Sequence, residues 1–225
     1  MTLKFLTNAP QGVAKAHLIM AHGAGAPMDS EFLNSFVGEL TMRNIAVSRF
    51  EFAYMADRRK PDGKKKPPPR VDKLTIEFNQ AIEQIRSNQP KSVALLIGGK
   101  SMGGRVASMI ADHQFSRGTV CGLVCLGYPF HPANKPDNLR TKHLQHLKCP
   151  TLIVQGDRDK LGNESDVTNY QLSHEISLAW LPDGDHDFKP RKSSGVTHDS
   201  NIRAGADAVS TFVKQLKSKI QGNSG

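Results

Sequence analysis

Residues 93–105 read Val-Ala-Leu-Leu-Ile-Gly-Gly-Lys-Ser-Met-Gly-Gly-Arg, an apolar run that ends in glycines around a single hydroxyl group. The run predicts a buried strand, and the apolar spacing that resumes between Val106 and Ile110 predicts a helix. Between them, residues 99–103 match the pattern G-x-S-x-G, in which glycines permit a tight turn that exposes the serine oxygen. Ser101 is therefore the candidate nucleophile.

Two other interpretations of this turn compete with a nucleophile. Gly99-Lys100-Ser101 is similar to the end of a phosphate-binding loop, but that motif requires a glycine five residues earlier, where the chain has Ala94. The turn could also be a glycine-rich helix start without chemistry, because such a short pattern recurs by chance. The rest of the chain has to decide between these interpretations.

The composition is typical of a single globular domain. The chain has 225 residues, of which 38% are hydrophobic and 23% charged, and α/β folds of this length commonly form one domain. We predict one domain over residues 1–225, with a frayed tail at 221–225. No apolar run approaches the ~20 residues of a membrane span, and the N-terminal segment does not resemble a secretory signal. A cytoplasmic location is therefore expected.

The cysteines agree with a reducing compartment. There are three, without framework spacing. Cys121 and Cys125 lie on one predicted strand, about 13 Å apart at the strand rise of ~3.3 Å per residue, which is too far for a disulfide. We interpret them, with Cys149, as small buried hydrophobic residues.

Positive charge is concentrated in one segment. The net charge is +9, and residues 58–70 carry seven basic side chains against Asp57 and Asp62. Proline and glycine interrupt the segment, so residues 55–70 are predicted to form a basic exposed loop. Such a loop can attract nucleic acid, an anionic substrate or an acidic partner. No aromatic residues are interleaved for base stacking, so nucleic acid is not the expected partner, and a solvated loop without a dedicated partner is the favoured interpretation.

Predicted strands and helices alternate along the chain. The predicted strands are 3–6, 16–20, 45–52, 93–97, 120–126, 151–154 and 175–180, and the predicted helices are 30–42, 71–85, 142–147 and 200–220. This alternation predicts an α/β fold with a mostly parallel central sheet and helices on both faces. Ligands bind at the carboxyl ends of the strands in such sheets, and the turn at Ser101 lies at that edge.

Other loops at the same edge supply candidate binding groups. Residues 22–27, His-Gly-Ala-Gly-Ala-Pro, follow a buried strand and offer free backbone N–H groups. The amides of Ala24 and Met102 are the predicted oxyanion donors. A structural role is the alternative for His131, which lies in a proline-bounded turn. The predicted substrate contacts are His22, Gly23, Gly25, Lys100, Tyr128, Phe130 and His131.

A serine hydroxyl needs a base to remove its proton and an acid to orient that base. Asp157 and Asp159 follow the predicted strand at 151–154, and His186 follows the last predicted strand. The order Ser, Asp, His along the chain is one of the known orders of a catalytic triad. Spacing alone leaves both aspartates open as the acid. His143 and His146 have no third ligand nearby, so no metal site is predicted.

These motifs together resemble the α/β-hydrolase superfamily over nearly the whole chain, from residues 22–25 through 99–105 to 183–186. More narrowly, residues 98–105, with Arg-Phe-Glu-Phe at 49–52 and Gly-Tyr-Pro-Phe-His at 127–131, look like the small dienelactone-hydrolase-like predicted hydrolases. The resemblance implies the α/β-hydrolase fold and favours Asp159 as the acid, in the superfamily's G-x-x-D pattern. Lys100 departs from the histidine common in relatives. Its cation would draw anionic substrates or pack against the next helix.

The resemblance also implies the activity. Many relatives insert a lid between the two strands that residues 128–150 connect, and those 23 residues are too few for one. We therefore expect no lid domain and no cofactor. The expected function is a serine hydrolase that cleaves a carboxylic ester or thioester of a small or exposed acyl substrate. The alternative is a catalytically silent scaffold that holds an acidic partner with the basic loop.

Overall fold

A seven-stranded sheet forms the centre of the protein, in a computed structural model that describes residues 3–64, 66–90 and 92–222, with the side chains of 219–222 left out. The strand order is β1-β3-β2-β4-β5-β6-β7, and β1 alone is antiparallel to its neighbour. The strands are β1 (Phe5–Asn8), β2 (Ala16–Ala21), β3 (Ile45–Phe50), β4 (Leu95–Lys100), β5 (Gly122–Leu126), β6 (Thr151–Gly156) and β7 (Ile176–Leu181). The predicted mostly parallel sheet is confirmed.

Helices cover both faces of the sheet. They are α1 (Glu31–Met42), α2 (Ala53–Arg58), α3 (Val71–Ser87), α4 (Met102–Ser116), α5 (Glu164–Val167) and α6 (His198–Gly222). The α3 and α4 helices pack on one face, and α1 and α6 pack on the other. Among the residues described, no helix combines the length and apolar character needed to cross a membrane.

Burial on both faces explains why the central strands are continuously apolar. Along β4, Leu96 faces the α1–α6 side and Ile97 faces the α3–α4 side, and both are at most 1% exposed. Successive side chains of a strand point to opposite faces, so a sheet covered twice requires apolar residues at every position.

Some element boundaries differ from the prediction. The β4 strand begins at Leu95, because Val93 N–H bonds to Pro90 O in a turn, and it continues to Lys100, because Gly98 and Gly99 pair with β5. The α6 helix continues to Gly222. Residues 221–222, which were predicted to belong to a frayed tail, therefore extend the helix. The rest of that tail, and the predicted burial of Ile220, lie outside the described residues.

Two loop predictions also need correction. Residues 142–147 contain only a 3-10 turn at Leu144–His146. The predicted basic loop at 55–70 begins inside α2, where Tyr54 and Met55 are buried in the α3–α4 core. Burial of these two apolar side chains fixes the segment's first turn to the fold. The described residues between α2 and α3, at 59–64 and 66–70, form no helix or strand, and Lys65 lies outside the described residues.

Replacement of a close-packed glycine tests the contact between α4 and β2. A Cβ atom on Gly103 would lie 2.5 Å from Ala21 O and 2.6 Å from His22 O. We expect Gly103→Ala to lower the free energy of unfolding in urea by on the order of 1–3 kcal/mol, because the backbones must separate. Gly38→Ala, on the exposed side of α1 with no atom within 4 Å of the new Cβ, should raise stability by about 0.5–1 kcal/mol. An equal change in the free energy of unfolding for the two variants would contradict the close contact between α4 and β2.

The buried His17 in β2 makes the free energy of unfolding depend on pH. Its Nε2 is 2.9 Å from Ser48 Oγ, and burial lowers the pKa of His17 from 6.5 to about 4. Between these values the unfolded chain binds the proton and the folded chain does not, so the free energy of unfolding falls as the pH falls from 6.5 to 4. We expect His17→Gln to reduce that fall, as measured by urea unfolding at pH 7, 5.5 and 4.5. An equal fall in the free energy of unfolding between pH 7 and 4.5 in the two proteins would contradict the role of His17.

Candidate active site

Ser101 occupies the sharp turn between β4 and α4, with φ 52° and ψ −115°. A positive φ costs a residue with a side chain about 1–3 kcal/mol, and the neighbouring backbone holds it in place. Ser101 N–H donates to Leu126 O at 2.8 Å, and Arg105 N–H donates to Ser101 O at 3.0 Å. The hydroxyl therefore stands at the carboxyl edge of the sheet beside the first turn of α4.

His186 connects this hydroxyl to a buried carboxylate. It lies in the loop after β7, with its Nε2 2.9 Å from Ser101 Oγ and its Nδ1 2.7 Å from Asp159 Oδ2. Asp159 lies after β6, so three separate strand ends contribute to one line of hydrogen bonds. The imidazole side chain is 30% exposed and the Asp159 side chain 0%. The line therefore runs from the surface into the interior.

Both oxygens of the buried Asp159 carboxylate accept hydrogen bonds. Gln155 Nε2 donates to Oδ2 at 2.9 Å, and Leu161 N–H donates to Oδ1 at 2.8 Å. An isolated buried carboxylate would be costly, so these donors stabilise it opposite His186. The sequence analysis did not single out Gln155. The available signal was an amide side chain at the end of an otherwise apolar strand.

The rival acid, Asp157, faces another part of the chain. Its Oδ2 accepts the N–H of Asp183 at 2.9 Å, and its Oδ1 is buried without a hydrogen-bond partner. It therefore supports the turn that follows β7. Of the two aspartates that the sequence left open, only Asp159 is hydrogen-bonded to His186.

Two further Ser–His pairs serve as internal comparisons for the pair at the elbow. His17 Nε2 is 2.9 Å from Ser48 Oγ, and His143 Nε2 is 2.8 Å from Ser108 Oγ. Both serines are at most 2% exposed. In the described part of the chain, neither histidine has a carboxylate hydrogen-bonded to its other ring nitrogen. Only the elbow pair combines partial exposure with a carboxylate behind the histidine.

Two backbone N–H groups near the elbow lack acceptors. Within the described residues, the N–H groups of Ala24 and Met102 have no acceptor. Met102 begins α4, where N–H groups are unpaired and the helix dipole favours negative charge. The loop of Ala24 is fixed from behind, because Tyr54 Oη donates to Ala24 O at 3.0 Å. Gly23 is buried next to Ser101, and Gly25 lies exposed at the rim.

His22 positions this loop from the interior. Its Nε2 accepts the N–H of Phe52 at 3.2 Å, so its Nδ1 carries the proton and donates to Gly23 O at 2.6 Å. Burial lowers the pKa of His22, which keeps the imidazole neutral. The side chain is 0% exposed, so the prediction that it contacts substrate is wrong for this structure.

The aromatic segment after β5 is also buried. Tyr128, Phe130 and His131 are at most 3% exposed, because the two rings pack edge to face at 4.9 Å and Tyr128 Oη donates to Arg140 O at 3.1 Å. The sequence analysis predicted these three side chains as substrate contacts. The structure places them in the core beneath the site instead.

Lys100 packs under the histidine loop. Its side chain is 8% exposed, with Nζ 3.3 Å from Asp187 Oδ1 and 5.2 Å from the centroid of the Phe32 ring. Burial lowers the pKa of Lys100, and the charges of Asp187 and Asp159 oppose that shift. The ion pair ties the end of β4 to the residue after His186. Lys100 therefore packs against α1 and the His186 loop and not against the next helix, α4, as one of its two predicted roles required.

A small cavity lies on the Lys100 side of the elbow. Its volume is about 120 Å³, and the residues that line it include Gly23, Phe32, Lys100 and His198 but neither Ser101 nor His186. A larger cavity of about 520 Å³ lies at the opposite end of the sheet, before β4 and β5. Neither cavity therefore defines the space in front of the Ser101 hydroxyl.

Two other kinds of catalytic group, a reactive thiol and a metal site, can be considered for the described residues. Burial raises the pKa of the Cys125 and Cys149 thiols, which keeps them protonated. In residues 3–64, 66–90 and 92–222, no three His, Cys, Asp or Glu side chains are grouped so that they could hold a metal ion.

Comparison with known proteins agrees with this architecture. A family model described as alpha/beta hydrolase domain matches residues 14–214. A serine hydrolase without a lid from Xanthomonas campestris is 20% identical, with a TM-score of 0.69 over 95% of this chain and 88% of its own. A serine hydrolase homologue from Coxiella burnetii is 17% identical, with a TM-score of 0.68 over 95% and 91%.

A dienelactone hydrolase from Anabaena variabilis is 22% identical, with a TM-score of 0.66 over 95% of this chain and 91% of its own. These likenesses confirm the predicted fold, and the segment between β5 and β6 contains no lid domain. Because the family model covers most of the chain, the protein belongs to the alpha/beta hydrolase family.

Proposed function

We propose that the protein is a serine hydrolase that cleaves a carboxylic ester or thioester of a small or exposed acyl group through an acyl-enzyme. The observation that carries the proposal is the unbroken line of hydrogen bonds from Ser101 through His186 to Asp159. A serine is a weak nucleophile at neutral pH, and this arrangement is the one that activates it.

In the proposed mechanism, Ser101 Oγ attacks the acyl carbon while His186 Nε2 takes the hydroxyl proton. The bond to the leaving oxygen or sulfur then breaks, and the imidazolium returns its proton to the leaving group. Water attacks the acyl-serine in the same way, which releases the carboxylic acid and restores the hydroxyl. Asp159 holds the Nδ1–H group and stabilises the imidazolium.

The N–H groups of Ala24 and Met102 are the proposed oxyanion hole. Charge develops on the acyl oxygen during attack, and preorganised donors stabilise that charge in the transition state. Their lack of acceptors in the described structure supports this role.

The scaffold alternative has less support, because internal ion pairs neutralise part of the basic segment. Arg59 pairs with Asp29 and Glu51, and Lys60 pairs with Asp57. Steady-state rates on matched oxygen and thiol esters of one acyl group will distinguish an esterase from a thioesterase.

A fluorophosphonate probe tests the nucleophile. We expect wild-type protein to form a covalent adduct on Ser101, detected by peptide mass spectrometry, and Ser101→Ala to abolish it. His186→Ala should slow labelling by about 10²–10⁴-fold, since general-base catalysis has that magnitude. Ser108→Ala removes the serine of another Ser–His pair and should leave labelling intact. Labelling that persists in Ser101→Ala would refute the proposal.

Paired substitutions test the identity of the acid. In Asp159→Asn the amide no longer stabilises an imidazolium, so kcat/KM for an ester should fall by on the order of 10³–10⁴. Asp157→Asn keeps an oxygen that accepts the Asp183 N–H, and its kcat/KM should stay within a few-fold of wild type. A larger loss in Asp157→Asn would assign the role to Asp157.

A further inference from the structure

The cavity of about 520 Å³ at the end of the sheet where β4 and β5 begin has the size of a ligand site. Ligand pockets commonly have volumes of about 300–1,000 Å³ and are lined mainly by apolar side chains with a few polar groups. Ser101 follows the other end of β4. The six residues of that strand therefore separate the cavity from the elbow by roughly 20 Å. The proposed catalytic site does not account for this cavity.

The wall of the cavity is largely apolar. Leu95 and Val120, at 2% and 3% exposed, belong to the core between the sheet and the α3 and α4 helices. Val93 and Phe115 are half-buried, so the cavity leaves part of their surface uncovered. Covering apolar surface is favourable in water. The wall therefore favours a ligand with an apolar body.

Two helices place cationic side chains at the same cavity. Arg86 lies in the last turn of α3, and its Nη1 donates to Val93 O at 3.3 Å, which holds the guanidinium at the wall. Lys217 lies on α6 next to Leu216, and a Cβ atom on Gly122 of β5 would lie 2.7 Å from Leu216 Cδ1. None of the described lining residues is an aspartate or a glutamate. The cavity therefore combines an apolar wall with positive charge.

We propose that this cavity binds an aliphatic carboxylate, a molecule of the medium-chain fatty acid type with one apolar chain and one negative charge. The chain covers the exposed parts of Val93 and Phe115. The carboxylate accepts charge-assisted hydrogen bonds from Arg86 and Lys217, which carry several N–H donors each. The inference does not depend on the proposed hydrolase activity, because the cavity contains no residue of the candidate active site.

Calorimetric titration with octanoate tests the site, with octan-1-ol and acetate as matched probes. Octan-1-ol has the chain without the charge, and acetate has the charge without the chain. We expect octanoate to bind about tenfold more tightly than either probe, because it alone uses both the apolar wall and the cations. Equal affinities for octanoate and octan-1-ol, or no binding of octanoate at millimolar concentrations, would overturn the proposal.

Substitution of each cation locates the ligand. Lys217 is exposed, so Lys217→Gln should fold normally and weaken octanoate binding about two- to fivefold, as expected for an exposed ion pair. Arg86→Gln should weaken it about tenfold, because Arg86 is half-buried. Lys214→Gln is the matched control, since Lys214 is exposed on the same helix and does not line the cavity. Unchanged affinity in both cavity variants, or an equal loss in Lys214→Gln, would rule the site out.

Cys121 reports on occupancy, because it lines the cavity and its Sγ donates to Leu95 O at 3.4 Å. Burial raises the pKa of Cys121 to about 11, so its alkylation by iodoacetamide at pH 8.5 is slow enough to follow by peptide mass spectrometry. We expect octanoate, but not acetate, to slow this alkylation, and to slow it less in Lys217→Gln. Octanoate that binds without changing the alkylation rate of Cys121 would lie elsewhere, and that result would overturn the assignment to this cavity.

Discussion

The close approach of the elbow backbone to β2 is the constraint on which the site depends. A Cβ atom on Gly99 would lie 2.5 Å from Ala21 O, as would one on Gly103. Because neither position has a side chain, the first turn of α4 rests directly on the end of β2. That contact brings Ser101 and the Ala24 loop together, and it sustains the unfavourable backbone angles of Ser101.

A second layer of contacts holds the histidine and its acid. Gln155 and Leu161 fix the Asp159 carboxylate, and the Lys100–Asp187 ion pair fixes the loop that carries His186. Buried polar groups stabilise a unique geometry only when their hydrogen bonds are complete. The geometry of the site therefore depends on strand ends and on buried polar pairs.

The sequence predicted the fold well because strands covered on both faces leave a strong apolar pattern, as in residues 93–97. Glycines at the elbow suggested Ser101 as a candidate site residue, and chain order suggested His186. Chain order left Asp157 and Asp159 open, and only the resemblance to the α/β-hydrolases favoured Asp159. The orientation of Tyr128 and Phe130 was beyond such reasoning. Their residue types suit a pocket wall or a core equally, and the chain reverses at Gly127, with φ 62°. The start of α2 was obscured by the basic residues that follow it.

Contacts between distant parts of the chain were the least predictable. The sequence does not show that Gln155 supports Asp159, because that contact depends on the path of the loop after β6. Lys100 was noted as a cation near the serine, but its burial depends on Asp187 and Phe32 from two other segments. Local pattern predicts elements and strand ends, whereas packing between loops determines which side chains reach the site.

The most direct test of the account is a crystal structure of the protein after reaction with a fluorophosphonate. We predict a bond between phosphorus and Ser101 Oγ, with the phosphoryl oxygen about 2.7–3.1 Å from the backbone nitrogens of both Ala24 and Met102. An adduct on another residue, or a phosphoryl oxygen that points away from both amides, would contradict the proposed arrangement of nucleophile and oxyanion hole.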